Sequence, residues 1–380
     1  MNYTGLEIDT LSLGDADCIV VTQWRNGLYY RLLVDGGCAS DADTVLDWLV
    51  AKGFTLFDAA LCTHLHNDHA AGMVKIVRDP RITFWRAYMH DIRQHASIDD
   101  LRRAARNDDD LKQALELTEE LQAAFVSRGL TPVEPFTGPL AGMLDISILG
   151  PSRSFYKEIL AEALPALPVF SSFVPATAPA NSLYGALFNS PPAPNSLSAM
   201  LGMHLSQNSS LEDKPKTQVF NESSVILGIR EAGRRALLTG DAGCRALAAV
   251  GSEWDGLDYL DVPHHGSRGN LCAEDIGRFR PTYAFVSARG NGHPDDAVVS
   301  ALCKAGSKVA STHRSGHLWY TVGSVPQRMG YTPLEFMEGK GSPVPVSTVP
   351  VTDWASLLRP VSSAPATDWA SLLLPLTKKG

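Results

Sequence analysis

Alternating apolar and polar positions in the first third of the chain predict strands interrupted by helices. The segments LEIDTLSL, DCIVVTQW and YYRLLVDGG are strand-like runs closed by Asp or Gly. Residues 41–52 instead repeat apolar positions at helical spacing, begin with acidic residues and are followed by Gly53. Residues 99–128 are highly charged and rich in good helix formers, which predicts one or two exposed helices.

Strand and helix patterns resume in the second half of the chain, after a stretch in which apolar residues follow neither the strand period nor the helix period. NESSVILGI and RRALLTGD predict a hairpin, and further strand and helix signals follow up to about residue 323. Residues 157–216 are rich in Pro, Ala, Ser and Asn and lack sustained periodicity, so we expect a long, partly disordered insertion there. The pattern therefore predicts one domain over residues 1–323 that carries this insertion.

The C-terminal residues change composition again and contain a short repeat. Residues 324–349 are expected to be a linker, and TDWASLL occurs twice in the flexible tail at 350–380, at an offset of 15 residues. In each copy the Trp and two Leu residues have i, i+3, i+4 spacing, so they share one helical face. Because one or two turns are not stable alone, we expect the Trp354 and Trp369 repeats to dock on a partner protein or a neighbouring subunit. Packing on this protein's own core is the alternative.

The amino-acid composition limits the classes of protein to which this chain can belong. Hydrophobic residues make up 44% of the 380 residues and charged residues 19%, which is enough apolar content for a sizeable core. The net charge of −8 argues against a large basic surface for nucleic acid but leaves room for a metal centre. No apolar run approaches the roughly 20 residues of a membrane helix, and we see no secretory signal. The six scattered cysteines form no CxxC pair, which argues against a thiolate zinc ribbon and favours a reducing cytoplasm.

A histidine cluster is the most specific chemical signal. Residues 63–72 (THLHNDHAAG) hold three of the eleven histidines within six residues. His64 and His66 alternate on one side of an extended chain, so both imidazoles can face one ion. Asp68 and His69 follow as the chain turns toward a helix and can face a second ion. Imidazole and carboxylate ligands suit zinc, with manganese or iron as alternatives.

Further ligand types follow three other apolar strands. Asp35 ends LLVDGG, Asp241 ends LLTGD, and VPHHGS carries His264 and His265. The carboxylate of Asp241 can bridge two ions. Since loops at one edge of a sheet converge, we expect these residues to share a site with the histidine cluster.

These segments resemble the metallo-β-lactamase superfamily and, within it, the ComEC-like branch, which comprises a domain of a DNA-uptake channel protein and its stand-alone relatives. The resemblance implies an α/β fold: a four-layer αββα sandwich of two facing sheets with helices outside and metals at one sheet edge. The motifs that carry it are GDADCIVV (14–21), LLVDGG (32–37), HLHNDHAAG (64–72), NESSVIL (221–227), LLTGDA (237–242), VPHHGS (262–267), NGHPDD (291–296) and a segment from Thr312 to Leu318.

The resemblance also implies ligands for two divalent metal ions, with zinc preferred. The matching ligand positions are His64, His66, Asp68, His69, the bridging Asp241 and His264, with His265 as second choice for the last. Asp35 matches the aspartate that orients a ligating histidine. Asn221, with Ser223 or Ser224, replaces a histidine loop that many members place before the bridging aspartate, which leaves one ion short of a usual ligand.

The implied reaction is hydrolysis by a hydroxide that bridges the two ions. We expect Asp68 to orient the nucleophile, and His265 or His293 to contact or protonate the leaving group. The resemblance favours a phosphodiester substrate, either nucleic acid or nucleotide. The alternatives are an ester, lactone or thioester hydrolase on the same metals, and a degenerate metal-binding scaffold that acts through its tail. His90 and His95 are expected to be surface residues.

Overall fold

The computed structural model describes residues 2–164, 211, 217–327 and 330–339. Before residue 164 the strands are β1 (Thr4–Thr10), β2 (Ile19–Arg25), β3 (Leu28–Val34), β4 (Leu56–Phe57), β5 (Ala59–Leu61), β6 (Thr83–Phe84), β7 (Ala87–Tyr88), β8 (Gly138–Pro139) and β9 (Ile146–Gly150). Later strands are β10 (Ile226–Glu231), β11 (Arg234–Leu238), β12 (Tyr259–Asp261), β13 (Tyr283–Val286), β14 (Lys308–Ser311), β15 (Leu318–Ser324) and β16 (Phe336–Met337). The helices are α1 (Ala42–Ala51), α2 (Gly72–Arg78), α3 (Ile98–Ala104), α4 (Asp109–Ser127), α5 (Arg153–Ala163), α6 (Cys244–Ala248), α7 (Ala273–Phe279), α8 (Asp296–Lys304) and α9 (Thr312–Ser315).

Most strands belong to two mixed sheets. The first has the order β15-β1-β2-β3-β5-β7, and the second has the order β16-β14-β13-β12-β11-β10-β9-β8. Strands β3, β5 and β7 are parallel neighbours, as are β11 to β14. Parallel strands bring the loops that follow them to one edge of their sheet, so the loops after β11 and β12 emerge side by side.

Alternating strand residues divide the core into layers. Val21 of β2 and Leu238 of β11 belong to one buried cluster between the two sheets. Their neighbours Val20 and Leu237 point the other way, because successive strand side chains face opposite sides of a sheet. Each therefore packs in a separate outer cluster under helices.

Helices cover both outer faces. Leu46 of α1 and Met73 of α2 pack in the cluster on the first sheet, and Ile276 of α7 and Leu302 of α8 pack in the cluster on the second sheet. The protein is thus a four-layer αββα sandwich, which confirms the predicted fold class. In the described part of the chain, no helix is both long and apolar enough to cross a membrane.

The described elements differ from the predicted boundaries at two places. Helix α5 starts after Ser152, whose side chain accepts the Phe155 N–H, and it buries Ile159 and Leu160. The predicted insertion of residues 157–216 therefore begins with ordered helix, and residues 165–210 lie outside the described residues. At the other end, β16 pairs with β14 beyond the predicted domain end at residue 323. The predicted tail, including Trp354 and Trp369, lies outside the described residues.

The prediction that His90 and His95 are surface residues is wrong. The side chains of both are no more than 3% exposed. The ring of His90 stacks on Tyr156 with centroids 4.3 Å apart, and His95 Nε2 lies 2.6 Å from Glu134 Oε1. Aromatic residues from distant segments cover this pair, which local sequence patterns do not reveal.

Candidate metal centre

The predicted ligands converge where the loops after β5, β11 and β12 meet. His64 and His66 follow β5, and Asp68 and His69 lie in a π-helical turn (Asn67–Ala71) that leads into α2. Asp241 follows β11, and the His-His pair follows β12. The structure therefore brings residues from three separated motifs into one buried site.

A first group of donors is formed by His64, His66 and Asp241. Their ligand atoms all lie within 4.8 Å of one another. His64 Nε2 is 3.1 Å from His66 Nδ1 and 3.6 Å from Asp241 Oδ2. Two imidazole nitrogens and a carboxylate oxygen that converge in this way form a donor set for a divalent metal ion.

A second group consists of Asp68, His69, Asp241 and His265, again with all ligand atoms within 4.8 Å. His69 Nε2 lies 3.2 Å from Asp241 Oδ1, and His265 Nε2 lies 3.3 Å from Asp68 Oδ2. Asp241 is therefore shared, with Oδ2 facing the first group and Oδ1 facing the second.

The structure places both candidates for the last ligand at the site, beside different donor groups. His265, the second choice, completes the second group, whereas His264 Nε2 lies 3.6 Å from Asp241 Oδ2, beside the first group. The different positions of the two rings follow from the backbone, because His264, His265 and Gly266 all have positive φ angles, of 48°, 55° and 77°. This left-handed turn sends the two adjacent rings toward different donor groups.

Main-chain and side-chain acceptors fix the ring orientations. Asp35 Oδ2 accepts from His69 Nδ1 at 2.8 Å and also from the Thr63 hydroxyl at 2.6 Å. The Ser287 carbonyl accepts from His265 Nδ1 at 3.0 Å. An Nδ1–H that is held in this way leaves Nε2 as the electron-pair donor toward the site. Asp35 thus lies where the sequence predicted it, against a candidate ligand.

Asn221 lies next to His264 rather than at the centre of a donor group. It is fully buried, and its Nδ2 is 3.0 Å from Thr217 Oγ1 and 3.4 Å from His264 Nδ1. The neighbouring Ser224 accepts the Asp241 N–H at 3.2 Å, whereas Ser223 donates to the Phe220 carbonyl. The loop that replaces the usual histidine therefore supports Asp241 and His264.

The electrostatics of the two groups differ. Burial lowers the pKa of His64 well below its usual value and also lowers the pKa of His66, so both rings are neutral. Burial opposes protonation of His265 too, but Asp68 and Asp17 raise its pKa to about 9. Although burial also disfavours charge on His69, the Asp241 and Asp35 carboxylates raise its pKa well above the usual value. In the second group, the protons on the His69 and His265 rings therefore balance the negative charge of the buried carboxylates. A divalent ion between these groups would balance the same charge.

Two buried atoms show that a cation fits this position. His69 Nε2 and Asp241 Oδ1 are fully buried and face each other over 3.2 Å, and neither makes a hydrogen bond of good geometry among the described residues. Buried polar atoms of this kind are rarely left without a partner. A divalent ion would satisfy both atoms at once.

Two residues near the centre were not singled out from the sequence. Asp17 is buried, and one of its oxygens lies 3.9 Å from His69 Nδ1 and the other 3.9 Å from His265 Nδ1. Its place in the GDADCIVV segment was a usable signal. Asn270 accepts from His264 Nδ1 at 2.7 Å and had no distinguishing sequence pattern.

His293, which the sequence predicted as a catalytic residue, lies at the rim. Its ring centroid is 6.0 Å from that of His264 and 6.3 Å from that of His265. It belongs to neither donor group in the described part of the chain. This position is compatible with contact to a substrate rather than to the ions.

The chain is similar in part to a curated protein and to solved structures. No family model matches the chain. ComE operon protein 3 of Bacillus subtilis (strain 168) is 31% identical over 113 residues, which are 28% of this chain and 15% of that protein, so the chain spans only a small part of its length. The metallo-beta-lactamase fold protein YhfI from Bacillus subtilis is 11% identical, with 84% of this chain and all of that chain covered at a TM-score of 0.43. A diphosphatase from the PhnP family is 13% identical, with 81% and 86% covered at a TM-score of 0.34.

The αββα layers and the histidine- and aspartate-rich site at the converging strand ends form the arrangement that the sequence resemblance to the metallo-β-lactamase superfamily implies. The similarity to ComE operon protein 3 agrees with the ComEC-like character of the motifs. The predicted αββα fold class is confirmed, and membership of the superfamily stays a prediction from the motifs.

Proposed function

We propose that this protein is a metal-dependent hydrolase that cleaves phosphodiesters with two divalent ions, preferably zinc. The observation that carries this proposal is the position of Asp241. This buried carboxylate presents Oδ2 to one histidine pair and Oδ1 to His69 of the second group. One carboxylate between two donor sets is the arrangement that a two-metal hydrolytic centre requires.

The ligands divide between the two ions as follows. The first ion would be held by His64, His66 and Asp241, and we assign His264 as its further ligand because His264 Nε2 and His64 Nε2 are both 3.6 Å from Asp241 Oδ2. This assignment fills the position left by the missing histidine loop. The second ion would be held by Asp68, His69, Asp241 and His265.

Each side chain then has a defined task. A pair of divalent ions would lower the pKa of water to about 7 and would stabilise negative charge that develops on the substrate. Asp68 is 29% exposed at its side chain, so it faces both the second group and the open side, where it can orient the attacking nucleophile. His293 is partly exposed beside the His264 and His265 rings, and we assign it the donation of a proton to the leaving oxygen.

The surroundings favour a small phosphodiester over a long polyanion. A cleft of about 620 Å³ next to the first group is lined by Phe220, whose ring is 6.5 Å from that of His66. Four acidic side chains and a single arginine contribute to the described lining: Asp100, Asp108, Asp110, Glu162 and Arg103. Such a wall repels a nucleic-acid backbone that would run along it. We therefore favour a nucleotide-sized substrate.

Parallel activity assays test this proposal. Metal-loaded protein would be given small phosphodiesters, DNA, RNA, a carboxylic ester, a lactone and a thioester. We expect turnover of the small phosphodiesters, lost in Asp68→Ala and retained in Asp43→Ala, because exposed Asp43 pairs with Lys75 at the surface and belongs to neither donor group. Turnover of acyl substrates alone would contradict the phosphodiester assignment. A folded, metal-loaded protein without any turnover would favour the scaffold alternative.

We further propose, from the sequence, that the two TDWASLL repeats dock on a protein partner or a neighbouring subunit. Two linked weak sites raise avidity by on the order of 100-fold or more when both engage. Pull-downs would compare the full chain, a chain ending at Gly341 and a Trp354→Ala, Trp369→Ala chain. Loss of the same binding partner from both altered chains supports docking, and recovery of identical proteins by all three chains contradicts it.

A cytoplasmic location is also a proposal. All six cysteines are free, and several are buried. Because free thiols persist in reducing compartments, we expect fractionation to place the protein in the cytoplasm. Recovery in an oxidising compartment, with the cysteines paired, would contradict this.

A further inference from the structure

A second cluster of metal-ligand side chains lies outside the histidine site. The thiols of Cys244 and Cys272 and the carboxylate of Asp275 have donor atoms within 4.8 Å of one another. Cys244 is the first residue of α6, Cys272 caps α7, and Asp275 lies in the first turn of α7. The packing of α6 beside α7 brings together two cysteines that are far apart in the sequence. Cysteine spacing alone, which shows no CxxC pair, therefore did not reveal this cluster.

The cluster is buried among apolar side chains. Cys272 is 9% exposed and Asp275 is 2% exposed, while Cys244 is half-buried. Ala246 and Leu247 of α6 and Ala273 and Ile276 of α7 belong to the surrounding core. A carboxylate in such surroundings is costly unless it is protonated, paired or bound to a metal. Burial accordingly raises the pKa of Asp275 well above its usual value.

The thiols are also suited to binding a cation. Cys272 Sγ lies 2.9 Å from Asp275 Oδ2, and a hydrogen bond from the Cys244 thiol lowers the pKa of Cys272 to about 6. A thiolate is the form of cysteine that binds metal. Tetrahedral zinc with ligand bonds of about 2.0–2.3 Å keeps its ligand atoms roughly 3.3–3.8 Å apart, which is within the span of this cluster.

We infer that Cys244, Cys272 and Asp275 form a separate site for a thiophilic divalent ion such as zinc, with solvent as the fourth ligand. Two thiolates and a carboxylate provide the soft and hard donors that zinc accepts together. The ion replaces the protons that the three groups otherwise share, so binding releases protons. The ion also reduces the net charge of the two thiolates and the carboxylate from −3 to −1.

This position joins two loops of the histidine site. Asp241 lies three residues before Cys244, and Asn270 lies two residues before Cys272. Asn270 Nδ2 already donates to the Asp241 carbonyl at 2.7 Å. An ion held by α6 and α7 therefore ties together the loops that carry Asp241 and His264 without taking part in the reaction.

Cobalt(II) titration of the reduced full chain tests the inference. Thiolate ligands to cobalt give an intense near-ultraviolet charge-transfer absorption that histidine and carboxylate ligands do not give. We expect this band in the unaltered protein, its removal by zinc, and its loss in Cys244→Ser and in Cys272→Ser. Cys303→Ser, which removes another half-buried thiol elsewhere, should keep the band. His69→Ala should keep it too, so the result does not depend on the proposed function.

Three results would overturn the inference. They are no thiolate band in the unaltered reduced protein, a band that persists in both serine variants, and thiol titration showing Cys244 and Cys272 oxidised to a disulfide in the protein as purified. If circular dichroism shows that the serine variants do not fold, Asp275→Asn serves instead. This variant keeps both thiols and the volume of the side chain at position 275. It should weaken cobalt binding at the thiolate band by at least the roughly tenfold typical of losing a supporting partner. Unchanged binding in that variant also counts against the site.

Discussion

His264 donates its Nδ1–H to the side-chain oxygen of Asn270 over 2.7 Å. The amide nitrogen of the same asparagine donates to the Asp241 carbonyl over 2.7 Å. Asn270 therefore sets the ring orientation of one candidate ligand and the loop position of the shared carboxylate. A single residue outside both donor groups controls how they face each other.

Replacing Asn270 tests this control. Asn270→Ala should lower metal affinity about 10- to 100-fold, the range typical for loss of a partner that orients a ligand. Asn270→Asp keeps an acceptor for His264 and should recover part of that loss. Metal titration by calorimetry, with circular dichroism to check the fold, gives the comparison. Equal affinity in all three proteins would show that Asn270 has no orienting role.

His293 should matter most when the leaving group is poor. If it protonates the leaving oxygen, His293→Ala should slow hydrolysis of an alkyl phosphodiester by about 100-fold or more. The same substitution should hardly affect the hydrolysis of a nitrophenyl phosphodiester, because its nitrophenolate leaving group needs no proton. Rate constants for the two substrates, with metal content shown to be unchanged, test this role. Equal slowing of both substrates would mean that His293 acts in another way.

Metal binding by the second group should release protons. In the metal-free protein the pKa of His265 is raised to about 9, so this ring carries a proton at pH 7.5 that an ion must displace. Affinity should therefore fall as the pH is lowered, and about one proton from His265 should appear per ion bound. Calorimetry in buffers of different ionisation enthalpy measures the release. A His265→Gln variant should release fewer protons, and an equal release from both proteins would refute the assignment.

The buried His90 should make the fold sensitive to acid. Burial lowers its pKa to about 3, and neither ring nitrogen has a hydrogen-bond partner among the described residues. In the unfolded chain His90 is protonated below about pH 6.5, whereas in the folded protein it stays neutral down to about pH 3. The free energy of unfolding therefore decreases as the pH falls from about 6.5 toward 3. Between pH 7.5 and 5 this loss is about 2 kcal/mol in the free energy of unfolding.

His90→Phe provides the comparison for that loss. A phenyl ring fits among Phe136 and Tyr156 and has no nitrogen to protonate. Urea unfolding at pH 7.5 and pH 5 should show a smaller acid loss in the variant. The same acid loss in both proteins would place the sensitivity elsewhere.

The convergence at the centre of the candidate site could be expected from the sequence because its residues follow simple local patterns. His64 and His66 alternate along an extended chain, and a strand-ending Asp241 projects from a sheet edge, so both features are visible in local patterns. The sequence did not show which donor group His264 and His265 each face, since this depends on two left-handed residues in succession. A backbone choice of this kind is made by tertiary packing.

Contacts between distant segments explain the other differences. His90 is buried because Phe136 and Tyr156 come from elements far along the chain. Cys244 and Cys272 meet only because α6 and α7 pack together. Local propensity contains no information about either contact. The fold class was predictable from motif order, whereas these neighbours required coordinates.

The left-handed turn at His264 and His265 places two candidate metal ligands at a cost in folding free energy. A non-glycine residue in that conformation costs roughly 1–2 kcal/mol, a penalty that glycine avoids. His264→Gly should thus stabilise the metal-free protein against denaturant while it weakens metal binding, and a less stable variant would contradict this. Selection for folding alone would favour glycine at position 264, whereas the buried ring of His265 keeps its bond to the Ser287 carbonyl. A lineage released from selection for activity should therefore lose His264 early, by mutations that improve its folding.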